Sequence, residues 1–261
     1  MPNTLDARMK EFYEVPARTK LTRRIPVAIR LDGKAFHTFT KGFDRPWDDV
    51  LLSSMSMTML YLCKHIQGCV FGYTQSDEIT LILTDYKSLD SAAWFDYEVQ
   101  KLVSVAASMA TMAFNYYFQQ KIMFDYNPND YRQLPYWNPN EMNNSLGYFK
   151  QACFDAHCFN IPKEEVTNLI YWRQRDAIRN SIQMTGRTYL SSKELHGLSS
   201  DQIKKVLLEK FDVDWESFPQ YFQRGSACYK MDDGWTVDRD LPIFKGEDRE
   251  YVERHIRVEE V

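Results

Sequence analysis

"CVFGYTQSDEITLILT", residues 69–84, contains two β-rich runs, Cys69–Gln75 and Glu78–Thr84, parted only by Ser76 and Asp77. Val, Ile, Leu, Phe, Tyr and Thr suit a pleated, buried surface, and a two-residue gap closes a tight antiparallel hairpin. Upstream, "RIPVAIRL" (Arg24–Leu31) reads as a strand. Between them, Asp48–Ile66 reads as a helix, with Pro46 and an acidic pair near its start. Downstream come a long helical pattern from about Ala92 to Lys121, a polar loop (Asn127–Asn144) and a fourth strand, "CFDAHCFNI" (Cys153–Ile161). The order strand, helix, strand, strand, helix, strand predicts an α+β fold of the split βαβ, ferredoxin-like kind. Its antiparallel sheet carries both helices on one face. The last third reads as mainly helical, with helices over Lys163–Gly186 and Ser199–Phe211 and a candidate strand over Ser226–Met231. We therefore expect a palm-like core over 1–162 and a helical C-terminal elaboration, 163–261, packed on the same core.

The composition, 44% hydrophobic and 26% charged over 261 residues, is that of a globular chain. A net charge of −4 does not mark a nucleic-acid binder as a whole, so any polyanion must meet local patches. "RTKLTRR" (Arg18–Arg24) and "WRQRDAIRN" (Trp172–Asn180) are the two candidates. Aromatics at 15% can fill a core or offer stacking surfaces to bases. Five cysteines without repeated short spacing argue against a disulfide framework or a zinc site and for a reducing, cytoplasmic setting. Cys153, His157 and Cys158 lie close together, but one strand end seldom makes a metal site alone. No apolar stretch approaches membrane-spanning length, and the amphipathic, acidic N-terminus is unlike a secretory signal.

Asp32 ends the first strand and Asp77 sits in the hairpin. First and third strands are central neighbours in this topology, so the two carboxylates can converge. With a glycine carbonyl beside them they form a hard-oxygen site suited to magnesium and substrate phosphates. Two ions so held would activate a hydroxyl and stabilise a leaving pyrophosphate. Gly33 lets the backbone approach closely, and the N–H groups after it can cradle a triphosphate. The plainer alternative is that Asp32-Gly33 and Ser76-Asp77 are only turn chemistry.

Several blocks, in order, resemble one family: "RLDGKAFHTFTKGFDRPWDD" (30–49), "GYTQSDEITLIL" (72–83), "CFDAHCFNIP" (153–162), "YWRQRDAIRNSIQ" (171–183) and "FQRGSACYK" (222–230). The chain is identified by them as a member of the tRNA-histidine guanylyltransferase superfamily, the 3′–5′ polymerases. The resemblance implies a polymerase palm that adds nucleotides to the 5′ end of tRNA. ATP or another NTP activates the 5′-monophosphate, and the 3′-hydroxyl of an incoming NTP, GTP or another, then attacks it. Asp32 and Asp77 match the catalytic, metal-binding aspartates of a two-magnesium site, and Gly33 the glycine whose carbonyl helps hold a metal. Lys34, Ala35, Phe36 and His37 match the segment around the triphosphate. Arg45, Ser76 and Lys101 match polar positions at phosphates or a second nucleotide, and Glu78 is expected to assist. Arg173, Arg175, Arg179 and Arg187 are expected to contact tRNA; they also speak against a nucleotide cyclase, which shares the paired aspartates. The resemblance further implies a homotetramer; the lack of a membrane-length apolar stretch leads us to expect no membrane partner. "IRNS" (Ile178–Ser181) departs from the "HINN" of the eukaryotic enzymes by lacking the histidine. That favours the guanylyltransferase-like branch, which repairs 5′-truncated tRNAs against the opposite strand. Dedicated guanosine addition to tRNA-histidine and a non-catalytic tRNA-binding module are the alternatives.

Overall fold

The computed structural model describes residues 4–88, 90–138 and 149–258. Six strands form one antiparallel sheet: β1 (Val27–Gly33), β2 (Cys69–Gln75), β3 (Glu78–Leu83), β4 (Phe154–Asn160), β5 (Ser226–Met231) and β6 (Gly234–Asp238). Their order is β4-β1-β3-β2-β5-β6. The principal helices are α1 (Phe36–Phe39), α2 (Asp49–His65), α3 (Val99–Asp125), α4 (Lys163–Tyr189), α5 (Ser200–Phe211), α6 (Gln220–Arg224) and α7 (Glu250–Ile256).

Period-two alternation divides β1 between the two faces of the sheet. Val27, Ile29 and Leu31 join Met55, Met59 and Leu62 of α2 and Leu102, Phe114 and Phe118 of α3 in the larger core. Thus both helices of the split βαβ unit lie on one face, as the sequence predicts. Ala28, with Phe71, Tyr73 and Ile82, faces the other way and is covered by Val166 and Ile170 of α4 and Val252 and Ile256 of α7. Coverage on both faces explains why every residue of β2 is buried, in a run that is nearly all apolar. The start of α2 follows the acidic pair: Asp48 caps it, accepting from the Leu51 N–H at 2.9 Å and from the Tyr136 hydroxyl at 2.9 Å.

Three differences from the sequence reading have identifiable causes. Helix α3 begins at Val99 and not near Ala92, because Phe95, Asp96 and Tyr97 take left-handed φ values of 48°, 51° and 54°. Helix α4 runs on through Gly186 to Tyr189. Gly186 is there for packing: a Cβ would meet Leu195 at 2.8 Å and Ile203 at 3.1 Å. In the C-terminal third the expected strand Ser226–Met231 forms as β5 and adds to β2, but a further strand, β6, not read from the sequence, adds to β5. β6 is five residues long behind two aspartates, and its partner edge exists only once β5 is in place. Within the expected polar loop, Pro128–Gln133 forms a 3-10 turn and Tyr136 is buried; its residues 139–144 lie outside the described residues. Among the described residues, no helix is long and apolar enough to cross a membrane.

Candidate active site

Asp32 is the last side chain of β1 before Gly33. Because Leu31 points into the larger core, Asp32 projects from the α4 face of the sheet. Register sets it opposite Glu78 of β3 on one side and Asp155 of β4 on the other. The hairpin turn is pinned to the same spot, the Gly33 N–H donating to the Asp77 carbonyl at 3.1 Å. Ser76 holds a left-handed φ of 50°, and its hydroxyl donates to the Asp77 carboxylate at 3.0 Å. Gly33 admits no other residue, since a Cβ there would fall 2.2 Å from the Phe36 ring. That ring packs on Phe39, Phe114 and Phe154 at 4.9 to 5.7 Å. Phe36 is therefore chiefly a core residue that presses the Gly33 backbone into place.

These carboxylates are held against their own repulsion. Partial desolvation first, then Asp77, Glu78 and Asp155, push the Asp32 carboxyl up to about 6, while Arg30 pulls the other way. Burial pushes Asp77 up as well, opposed by the Ser76 hydroxyl. A divalent cation would relieve this excess of negative charge, and the donor set fits magnesium. Two carboxylates and the Gly33 carbonyl supply hard oxygens, leaving further positions to water and phosphate oxygens. Among the described residues, no group of three or more His, Cys, Asp or Glu side chains could hold a metal by itself.

Glu78 is not part of that excess in the same way. Arg30 donates to its Oε1 at 2.6 Å, while Gln75 at 2.6 Å and Arg173 Nε at 3.0 Å donate to its Oε2. Arg173 Nη2 also reaches both Glu78 and Asp176. At 5% exposure Arg173 is buried, so it ties α4 to the β2–β3 hairpin and is not a surface cation. The expectation that it contacts tRNA is corrected on that ground. Arg175, Arg179 and Arg187 are exposed on α4, with Arg179 paired to Asp176. Lys101 stands apart. The Asp32 end of the sheet is level with Thr111, whose hydroxyl accepts from the Phe154 N–H at 3.0 Å. Ten residues of α3, about 15 Å, separate Lys101 from that point. Lys101 instead lies near Glu98 at 3.6 Å and over the Phe95 ring at 6.0 Å. One chain alone does not bring it to the carboxylates.

A cavity of about 330 Å³ opens beside Asp77. Of the expected nucleotide contacts, Phe36, His37, Arg45 and Ser76 line it; Lys34 and Ala35 precede it, exposed, with Ala35 in a left-handed turn at φ 54°. The opposite wall is Asn180, Ser181 and Met184 of α4 with Tyr221 and Phe222 of α6. Sequence reading does not identify this wall or Asp155. The wall carries no local signal, whereas Asp155 is reachable by counting register outward from the hairpin.

A family model described as tRNAHis guanylyltransferase matches residues 6–162. The fold resembles a solved bacterial tRNA(His) guanylyltransferase-like protein in complex with ATP, at 35% identity and a TM-score of 0.83. The match covers 98% of this chain and 100% of that one. A GTP complex of a bacterial protein of that description matches at 32% identity and a TM-score of 0.75, covering 97% and 99%. A probable tRNA(His) guanylyltransferase of Dictyostelium discoideum is 26% identical over 223 residues, 80% of this chain and 77% of the relative.

Proposed function

This chain belongs to the tRNAHis guanylyltransferase family, nucleotidyltransferases of the tRNA 5′ end, and we propose that it is a magnesium-dependent, template-directed 3′–5′ polymerase that repairs 5′-truncated tRNA. The observation that carries the reading is the convergence of Asp32 and Asp77 on the Gly33 backbone, at the mouth of a nucleotide-sized cavity. Asp32, Asp77 and the Gly33 carbonyl would hold two magnesium ions, which when bound stabilise developing charge on the reacting phosphates. His37, Arg45 and Ser76 line the cavity and would orient the triphosphate of ATP, GTP or another NTP. The 5′-monophosphate first attacks the α-phosphate of an NTP and pyrophosphate leaves; the 3′-hydroxyl of the incoming NTP then attacks the activated 5′ phosphate and the nucleoside monophosphate leaves.

Template direction is supported by what stands in place of the histidine. Ile178, where the eukaryotic motif has histidine, packs against the cluster of Ile182, Ile203, Leu207 and Trp215 and is not among the residues lining the cavity. Selection then falls to pairing with the opposite strand, because a mismatch displaces the attacking hydroxyl and small displacements are costly in rate. The experiment is a four-by-four matrix of template base against NTP, measured as single-turnover rates on a tRNA lacking its first nucleotide. The preferred NTP is expected to follow the template base in every row. Guanosine winning in all four rows would establish dedicated guanosine addition instead.

The exposed cations of α4 are expected to contribute the electrostatic part of tRNA binding. Neutralising Arg175 and Arg179 together should lower the slope of log K against log salt by about two at most, because each phosphate contact releases about one counterion. NTP affinity should not move. An unchanged slope would make both arginines mere solvated charges on the helix. A homotetramer, as the family resemblance implies, in the reducing cytoplasm that the cysteine usage suggests, completes the proposal, and sedimentation tests the oligomer.

A further inference from the structure

We infer that Trp172 is a stacking platform for the terminal base of the RNA end, set beside the Asp32 carboxylate. The inference rests on the RNA-directed reading above. Trp172 lies in the first half of α4 and is 53% exposed, unusual for an indole, which is normally well covered. The ring is nevertheless held. The guanidinium of Arg30 sits 5.4 Å from its centre and that of Arg173 4.5 Å. Both guanidiniums end on the one Glu78 carboxylate, which fixes them beside the indole, while about half of the residue's surface stays open to solvent. A ring so restrained loses little freedom when a base stacks on it.

Its place in the fold is next to the chemistry. Arg30 and Asp32 project from the same face of β1, two residues and about 7 Å apart. On the far side of Arg30, in register, stands His157 of β4, exposed and stacked on Phe159 at 6.1 Å and 20°. β4 is the edge strand of the sheet, so Trp172 and His157 border an open approach to Asp32. The surroundings favour a nucleic-acid base over a protein surface. Around Trp172, α4 exposes Arg175 and Arg179, with Asp176 between, and not the contiguous apolar patch that a protein partner would cover. Aromatic rings beside cations hold nucleic-acid ends without reading sequence, because every base has a π-face. A contact of that tolerance suits an enzyme whose selection lies in base pairing.

The test places 2-aminopurine as the last base on the 5′ strand of a truncated acceptor-stem hairpin and follows its fluorescence on binding. Wild-type protein should quench it. Trp172→Ala should lose most of the quench and weaken RNA binding by roughly tenfold, whereas Trp172→Phe should keep both. NTP affinity, measured separately, should be the same in all three. If wild type binds and Trp172→Ala binds and quenches equally well, the platform is refuted while the proposed function stands. A Trp172→Ala protein that instead changes its sedimentation, with RNA affinity unaltered, would make the ring a subunit contact and also refute it. Failure of the wild type to bind RNA at all would overturn the functional reading and this inference together.

Discussion

Asp32→Ala and Asp77→Ala should each lower nucleotide addition by roughly a thousandfold or more, the rate equivalent of about 4 kcal/mol of lost transition-state stabilisation. Neither should unfold the protein. Both carboxylates sit at the rim of the sheet, and the hydrogen bond from the Gly33 N–H goes to the Asp77 backbone, which alanine keeps. The stability effect has a definite sign. An acid raised to about 6 in the fold is more readily protonated there than in the unfolded chain. It contributes stability that is fully present below the unfolded value near 4 and lost as pH rises through 6. Without divalent metal, wild type should therefore weaken between about pH 4 and 6, and Asp32→Asn should blunt that decline. Magnesium should restore wild type above pH 6 and leave Asp32→Asn nearly unmoved. Thermal melts across pH, with and without magnesium, measure all of this. An Asp32→Ala enzyme retaining a tenth of wild-type turnover at saturating magnesium would sink the assignment.

Arg173→Ala should be more destabilising than alanine at Arg175 or Arg179. Removing one member of a buried charge network leaves the other without compensation, a loss of about 3 kcal/mol or more when no partner remains. Arg30 and Gln75 stay on Glu78, so we expect about 2 kcal/mol here. Its signature is a coupling that surface cations lack. In Arg173→Met with Glu78→Met, the orphaned carboxylate is gone but Arg30 loses its partner, so the double variant should be less destabilised than the sum of the two single variants. The salt dependence of tRNA binding should match wild type in both variants. Denaturant titrations of the two single variants and the double variant give the interaction term directly. A coupling near zero, together with a flattened salt slope for Arg173→Ala, would return Arg173 to the role of an RNA contact.

Local sequence was sufficient wherever the determining signal was itself local. The hairpin over residues 69–84 is read from β-rich runs and their two-residue gap, and it forms in that register. The strand–helix–strand–strand–helix–strand order settles which strands are central, and the convergence of Asp32 and Asp77 follows from that order alone. Tertiary structure alone decided which charges were free to act. Glu78, Arg30 and Arg173 come from three distant parts of the chain and pair with one another, so composition cannot show that Arg173 is buried while Arg175 and Arg179 are exposed. Position along α3, and not residue type, separates Lys101 from the site. The far wall of the cavity comes from α4 and α6, more than 100 residues beyond Asp77, and strand β6 needed the edge that β5 supplies. The reason is physical: backbone periodicity is encoded within a few residues, whereas burial and charge pairing depend on whatever the completed fold brings alongside.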